Sequence, residues 1–107
     1  MPPRLLIASL LLAATPAFAQ QAAKPPPPCM SEQHRQFDFW VGEWDVSDPA
    51  GKPVGRSRIE SRLGQCVVHE HWFGAGGTVG ESFNIHNAAS GQWEQFWVDN
   101  GGNRLHL

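Results

Sequence analysis

The chain has 107 residues, of which 41% are hydrophobic and 17% are charged, and this balance is typical of a globular protein rather than a disordered or fibrous one. This length allows at most one small domain. The formal net charge of −2 gives no basic surface of the kind that nucleic-acid-binding proteins present, so we expect no nucleic-acid partner.

Residues 1–19 have the organisation of a secretory signal peptide. Arg4 precedes an apolar run over residues 5–14, in which Ser9 is the one polar residue, and the small-residue pattern Ala17-Phe18-Ala19 follows as a cleavage site. A membrane anchor would need roughly 20 apolar residues to cross the bilayer, about twice the length of this run. We therefore expect an exported protein, periplasmic or secreted, that keeps no stable membrane anchor after cleavage.

Residues 20–28 read QQAAKPPPP, and this polar, proline-rich composition predicts an extended linker ahead of a domain at 29–107. A domain of this size has a marginal hydrophobic core, so a covalent cross-link would matter to its stability. Cys29 and Cys66 are the two cysteines, and an even number in an exported chain predicts one disulfide. The alternative is a pair of unlinked buried thiols.

Beyond Cys29 the sequence alternates apolar and polar residues without helical periodicity, which predicts β-strands throughout. Glycine-rich turns separate six predicted strands, at 43–47, 54–63, 65–73, 78–87, 92–99 and 103–107. Six successive strands form an antiparallel meander, two fewer than the roughly eight of a small closed barrel. The last strand ends without a turn, so we expect a partial barrel that is truncated at its C-terminus.

Aromatic residues precede the first strand in the run FDFWVGEW at residues 37–44. Gly42-Glu43-Trp44 is similar to the Gly-x-Trp motif that opens the first strand of lipocalin-like (calycin-like) barrels. The runs GQC at 64–66, EHWFG at 70–74 and WEQFWVD at 93–99 also resemble a family of exported bacterial domains of unknown function. The resemblance implies an all-β, lipocalin-like barrel of uncharacterised role.

Trp44 has a physical interpretation that does not depend on the resemblance. A large aromatic side chain at the start of the first strand can fill the end of a closing sheet. Gly42 just before it allows the backbone to turn sharply. We therefore expect Trp44 to lie in the core.

Pairing the predicted strands through their turns assigns each side chain to one face of the sheet. We place Phe73 opposite Thr78, and Asn87 opposite Gln92. One face is then mixed, carrying His69, His71, Ser82, Asn84, His86, Trp93, Gln95, Trp97 and Asp99. The other face is mainly aliphatic, carrying Val68, Trp72, Val79, Phe83, Ile85, Phe96 and Val98 with Glu70 and Glu81.

Two alternatives to this assignment remain open. A bulge at Gly76-Gly77 would shift the register by one residue and move His69 and His71 off the mixed face. The same shift would bring Glu70 and Trp72 onto it. Separately, the aliphatic face could form the core while the mixed face meets solvent.

The mixed face combines aromatic rings with a few polar groups, as the walls of small-molecule pockets do. If it lines an interior, we predict an exported domain of uncharacterised role that binds a small, partly apolar or aromatic ligand. The predicted ligand-binding residues are His69, His71, Asn84, Trp93, Gln95 and Trp97. Catalytic and cofactor-binding motifs are absent from the sequence, which favours binding over catalysis and predicts no cofactor.

His69-Glu70-His71 is the one local pattern with metal-ligand character. Alternate residues of a strand place both imidazoles on one face, and in the predicted register Asp99 lies two strands across from His71. Two histidines and a carboxylate can hold a divalent metal. A metal-dependent enzyme using His69, His71 and Asp99 is therefore the alternative function, and a structural domain that interacts through an exposed strand edge is a third.

Overall fold

Two single-turn 3-10 helices and six strands form the domain in a computed structural model that describes residues 2–4, 8–13 and 24–107. The strands are β1 (Gly42–Ser47), β2 (Pro53–Arg62), β3 (Val67–Gly74), β4 (Val79–Asn87), β5 (Gln92–Asp99) and β6 (Arg104–His106). All six predicted strands are present, with bounds within two residues of the predicted ones. The expectation of strands throughout is wrong ahead of β1, where the helices η1 (Gln33–Arg35) and η2 (Asp38–Trp40) lie.

The six strands form one antiparallel sheet in the order β1-β2-β3-β4-β5-β6, which is the predicted meander. The fold is therefore all-β. Within residues 24–107, β1 and β6 are the two edges and do not pair with each other. The sheet is open and does not close into a barrel.

The hairpin between β3 and β4 has a register one residue away from the predicted one. Phe73 pairs with Val79 rather than with Thr78. Gly74 N–H donates to the Thr78 carbonyl at 2.7 Å, so the loop holds only residues 75–77. Gly77 ends this loop at φ +92°, as expected for a three-residue hairpin whose last residue adopts the left-handed conformation.

The changed register exchanges the two faces of β3, because side chains alternate along a strand. Glu70 pairs with Ser82, and Trp72 pairs with Gly80, on the mixed face. His69 and His71 consequently lie on the opposite face, and their predicted place on the mixed face is wrong. The predicted register between β4 and β5 is confirmed, with Asn87 opposite Gln92 and Asn84 opposite Gln95.

We call the mixed face the inner face and the opposite one the outer face. The inner face carries Trp44, Ser57, Ile59, Val68, Glu70, Trp72, Gly80, Ser82, Asn84, His86, Trp93, Gln95, Trp97 and Asp99. On this face Ile59 and Ser82 are 2% and 0% exposed, whereas Val98 on the outer face is 55% exposed. The mixed face is therefore the interior one, and the alternative in which it meets solvent is wrong.

Residues 29–41, which we call the N-terminal segment, pack against one end of the inner face. The ring of Phe37 meets that of Trp93 edge-on at a centroid distance of 4.8 Å. His34 meets His86 in the same way at 5.1 Å. The predicted disulfide is confirmed, since Cys29 and Cys66 are bonded with Cα atoms 5.0 Å apart. The bond anchors the segment to the turn between β2 and β3.

Arg35 reinforces this anchor with its guanidinium group. It donates to the Cys29 carbonyl at 2.9 Å and to the Gln65 carbonyl at 2.6 Å. It also donates to the side-chain oxygen of Gln65. The disulfide and this set of hydrogen bonds together hold the segment across the sheet.

Trp44 is 43% exposed, so its predicted place in the core is wrong. It lies on the edge strand β1, which pairs with β2 on one side and with no other strand of the described residues. Its indole N–H donates to the Trp40 carbonyl at 2.7 Å, which ties β1 to η2. Gly42 has a φ of +140°, a conformation that favours glycine at this position.

Ten residues of the predicted signal peptide at 1–19 lie outside the described residues, as do four residues of the predicted linker at 20–28. Among the residues that are described, no helix has the length and apolar character needed to cross a membrane. The Cys29–Cys66 disulfide fits a compartment outside the reducing cytoplasm.

Candidate functional site

A cavity of about 410 Å³ lies between the N-terminal segment and the inner face of β4 and β5. The lining residues are Phe37, Phe39, Trp40, Asn84, Trp93, Glu94, Gln95 and Leu107. This volume falls within the range of roughly 300–1,000 Å³ that is typical of small-molecule sites. Four aromatic rings and two side-chain amides therefore meet in one space of suitable size.

The aromatic side chains that line the cavity pack against one another. Phe37 lies against Phe39 with centroids 6.0 Å apart, in addition to its edge-on contact with Trp93. The Trp93 indole N–H donates to the side-chain oxygen of Gln36 at 3.1 Å. Because its polar group is satisfied by the N-terminal segment, Trp93 offers the cavity an apolar ring surface.

Asn84 supplies a polar group at the floor of the cavity and is only 9% exposed. Its amide nitrogen donates to the Val68 carbonyl at 3.1 Å and to Ser82 Oγ at 2.9 Å. Both N–H bonds of the amide are used, which fixes the orientation of the side chain. The Asn84 carbonyl oxygen has no hydrogen-bond donor within residues 24–107, so it can accept one from a bound molecule.

Ser82 connects this amide to the half-buried carboxylate of Glu70. Its hydroxyl is fully buried and donates to Glu70 Oε1 at 2.7 Å. It accepts hydrogen bonds from Asn84 and, at 3.4 Å, from the Gln95 amide nitrogen. A connected polar network of this kind holds its members in one arrangement, so the two cavity amides are positioned before any molecule binds.

Trp97 lies on the inner face but outside the cavity. Its ring covers Gly80, and a Cβ atom at Gly80 would lie 2.2 Å from the ring. The Trp97 indole N–H donates to Asp99 Oδ2 at 3.1 Å. Asp99 also accepts from the backbone N–H groups of Gly101 and Asn103, at 2.9 and 3.1 Å.

These hydrogen bonds change the acidity of Asp99. The Trp97 hydrogen bond lowers the pKa of Asp99 most, while partial burial raises it by less. The donors from Asn103 and Gly101 lower the pKa further, so its net value is below the ordinary one. Asp99 therefore acts as an ionised acceptor that organises the turn between β5 and β6.

The predicted ligand-binding residues separate into three groups. Asn84, Trp93 and Gln95 come together at the cavity. Trp97 shares their face but covers Gly80, and His69 and His71 lie on the outer face. The aromatic side chains of the N-terminal segment, Phe37, Phe39 and Trp40, line the cavity and were not predicted as site residues. The sequence signal for these three residues is the aromatic run at 37–44, which by itself predicts only the start of the first strand.

A second cluster forms on the outer face from histidines and carboxylates of β2, β3 and β4. Glu81 Oε1 lies 2.8 Å from His69 Nε2 and 3.2 Å from His71 Nδ1. The predicted metal set of His69, His71 and Asp99 is wrong in its geometry, because Asp99 lies on the inner face. Glu60 pairs directly with His69 and takes the place of Asp99 in the cluster.

Glu60 is ionised within an electropositive surrounding. Partial burial raises its pKa, but the hydrogen bond from Arg62 and the charges of Arg58, His71 and Arg62 lower it by more. The net effect is a pKa below the ordinary value. Arg58 Nε lies 3.0 Å from Glu60 Oε1, and Arg62 NH1 lies 3.3 Å from Glu60 Oε2.

No protein family, curated protein or solved structure matches this chain. We therefore infer function from the side chains on the two faces of the sheet. The inner face offers an aromatic cavity with a fixed amide acceptor, and the outer face offers a histidine–carboxylate cluster.

Proposed function

We propose that this domain binds a small, partly apolar or aromatic molecule in the cavity between the N-terminal segment and the inner face. The observation that carries the proposal is the meeting of four aromatic rings with the fixed carbonyl oxygen of Asn84. The rings favour a ligand with a planar aromatic or an aliphatic framework, because burial of apolar surface supplies the main driving force for binding. The carbonyl oxygen favours a molecule with an N–H or O–H group.

The size of the cavity limits the affinity that this binding can reach. Drug-sized ligands gain roughly 0.3 kcal/mol per non-hydrogen atom. A molecule of about 20 such atoms would therefore gain about 6 kcal/mol, which corresponds to a dissociation constant on the order of 10–100 μM. A binding experiment should cover that concentration range.

We propose further that the chain is exported, to the periplasm or beyond the cell, and is related to lipocalin-like barrels. The signal-peptide pattern and the disulfide support export. The all-β meander and the positive φ of Gly42 at the start of the first strand support the relationship, since both agree with the motif Gly42-Glu43-Trp44.

The test is intrinsic tryptophan fluorescence of the disulfide-bonded chain during titration with lipids, porphyrins and aromatic metabolites, beginning with decan-1-ol, whose hydroxyl group can donate to Asn84. We expect at least one of these probes to produce a saturable change in emission. Trp40 and Trp93 both line the cavity, so the double variant Trp40→Phe/Trp93→Phe removes the reporters there and should abolish most of that change. Trp72→Phe is the matched control, because Trp72 lies on the inner face but does not line the cavity.

Two results would contradict the proposal. One is the absence of any saturable change with the whole panel. The other is a change in Trp40→Phe/Trp93→Phe that equals that of the unmodified chain, because it would place the bound molecule elsewhere. Circular dichroism of each variant establishes that the sheet is retained.

A further inference from the structure

Four side chains from three strands converge on the outer face, on the side of the sheet away from the cavity. Glu60 of β2 pairs directly with His69 of β3, and His71 of β3 pairs directly with Glu81 of β4. The two imidazole rings lie with their centroids 4.1 Å apart. His69 is buried despite its place on the outer face, since its side chain is only 8% exposed and its ring stacks on Phe83 at 4.3 Å.

Glu81 determines which nitrogen of each imidazole carries a proton. One carboxylate oxygen, Oε1, lies within hydrogen-bond distance of His69 Nε2, and it contacts His71 Nδ1 as well. An ionised carboxylate only accepts hydrogen bonds, so His69 Nε2 is the N–H donor in the neutral ring, and the negative charge also favours the proton of neutral His71 on Nδ1. The lone pairs then lie on His69 Nδ1 and His71 Nε2.

Within residues 24–107, neither of those two nitrogens takes part in a hydrogen bond that stabilises the fold. His69 Nδ1 and His71 Nε2 are both buried and have no hydrogen-bond partner within the described part of the chain. Buried polar atoms are nearly always satisfied, so two unsatisfied acceptors in one cluster need an explanation. A carboxylate that orients an imidazole through its N–H while the other nitrogen binds a metal is a recurring arrangement in metalloproteins.

Glu60 provides the third ligand atom. Its Oε2 lies 3.8 Å from His71 Nε2, and one ligand atom from each of Glu60, His69 and His71 lies within 4.8 Å of the others. In a tetrahedral zinc site with bonds of about 2.0–2.1 Å, neighbouring ligand atoms are roughly 3.3 Å apart. Small rotations of the side chains would therefore bring the cluster to coordination distance.

We propose that Glu60, His69 and His71 bind a divalent transition-metal ion, with Zn²⁺ as the best match, and that Glu81 positions the two imidazoles. Imidazole nitrogen suits Zn²⁺ and its first-row neighbours, whereas Mg²⁺ and Ca²⁺ require mainly oxygen ligands. Three protein ligands leave at least one coordination position open. The site lies on the opposite face from the cavity, so it is independent of the proposed small-molecule binding.

Metal binding at this site competes with an existing ion pair. Arg62 contacts the same Glu60 oxygen that lies nearest to His71, and its side chain is 52% exposed. Exposed ion pairs of this type contribute little to stability. The long arginine side chain can move into solvent as the metal approaches, and Arg58 can keep its contact with Glu60 Oε1.

The test uses the untagged, chelator-treated chain with its disulfide intact and isothermal titration with ZnCl₂ alone. We expect saturable binding of one Zn²⁺ per chain. Glu60→Gln and His71→Gln should each weaken that binding by at least about tenfold, and Glu81→Gln should weaken it by about 10–100-fold. His106→Gln is the matched control, because His106 also lies beside a carboxylate, with its Nε2 3.4 Å from Glu94 Oε1, and its substitution should leave the affinity unchanged.

A second measurement needs no substitution and so does not depend on the folding of the variants. Co²⁺ bound in a low-coordinate site with imidazole ligands gives strong visible absorption, which Zn²⁺ should then displace. The proposal is overturned if the unmodified chain gives no saturable Zn²⁺ binding. It is also overturned if His71→Gln binds as tightly as the unmodified chain, or if bound Co²⁺ shows only the weak absorption of a fully hydrated ion.

Discussion

Gly80 and Trp97 form a close contact on the inner face. The indole ring lies so near that a Cβ atom at Gly80 would sit 2.2 Å from it, with no room for the ring to stay in place. We therefore expect Gly80→Ala to lower the free energy of unfolding by about 1–3 kcal/mol, as overpacking of an interior typically does. For a domain of this size, thermal melting should show a decrease of roughly 4–8 °C for each kcal/mol.

Gly76 is the matched control for this substitution. It lies in the β3–β4 loop, where a Cβ atom would meet nothing within 4 Å, and its φ is not in the left-handed region. Gly76→Ala should therefore leave the melting temperature nearly unchanged or raise it slightly. If Gly76→Ala and Gly80→Ala melt at the same temperature, the packing of Trp97 on Gly80 is not as we describe it.

Asp99 makes the stability of the domain depend on pH. Its pKa in the folded chain lies below the ordinary value because Trp97, Asn103 and Gly101 donate hydrogen bonds to the ionised form. Its stabilising effect is therefore fully present above the unfolded pKa of about 3.9, and it is lost as the pH falls through the lower folded pKa. Asp99→Asn should melt at a lower temperature at neutral pH, and its curve should approach that of the unmodified chain in acid.

Thermal melting over the range from neutral pH to about pH 3 measures this effect. Asp45→Asn is a suitable control, because the Asp45 side chain is 85% exposed and contacts Arg56 on the surface. Its melting curve should follow that of the unmodified chain at every pH. If the difference in melting temperature between Asp99→Asn and the unmodified chain stays constant down to about pH 3, Asp99 does not have the role assigned to it.

At the scale of strands and turns, the β3–β4 hairpin shows how far the sequence alone can predict this fold. The alternation of apolar and polar residues between turn residues was sufficient to predict all six strands. The register across residues 74–78 was not predictable in the same way. The glycine-rich loop permits a three-residue or a four-residue turn, and that choice of one residue decides the face on which His69 and His71 lie.

The N-terminal segment was predictable only in part. Its disulfide followed from the number of cysteines and the expected compartment. The two 3-10 helices did not follow, because three-residue helices are too short to show any periodicity. The sequence therefore did not predict that the N-terminal segment would contact Trp93. This contact joins Phe37 and Gln36 to a residue more than 50 positions away.

At the scale of the whole molecule, the disulfide restrains the unfolded chain and keeps the N-terminal segment on the sheet. The two cysteines are 37 positions apart, and closing a loop of that length contributes roughly 3–4 kcal/mol. Reduction should therefore lower the melting temperature by well over 5 °C, at roughly 4–8 °C for each kcal/mol. Mass analysis without reductant should show the loss of two hydrogen atoms relative to the free thiols.

The control for reduction is the double variant Cys29→Ser/Cys66→Ser. It should already melt at the lower temperature, and reductant should not change its melting further. An unchanged melting temperature after complete reduction of the native chain would show that the bond does not stabilise the fold.

In the fold that we describe, the N-terminal segment and the inner face together form the proposed binding cavity. Nuclear magnetic resonance of the ¹⁵N-labelled chain during titration with decan-1-ol is the decisive measurement, because it reports where the probe binds as well as whether it does. We predict shifts that saturate and that concentrate on Phe37, Phe39, Asn84 and the indole N–H of Trp93. Shifts concentrated on outer-face residues such as Phe83 and Val98, or no saturable shifts at all, would contradict the account.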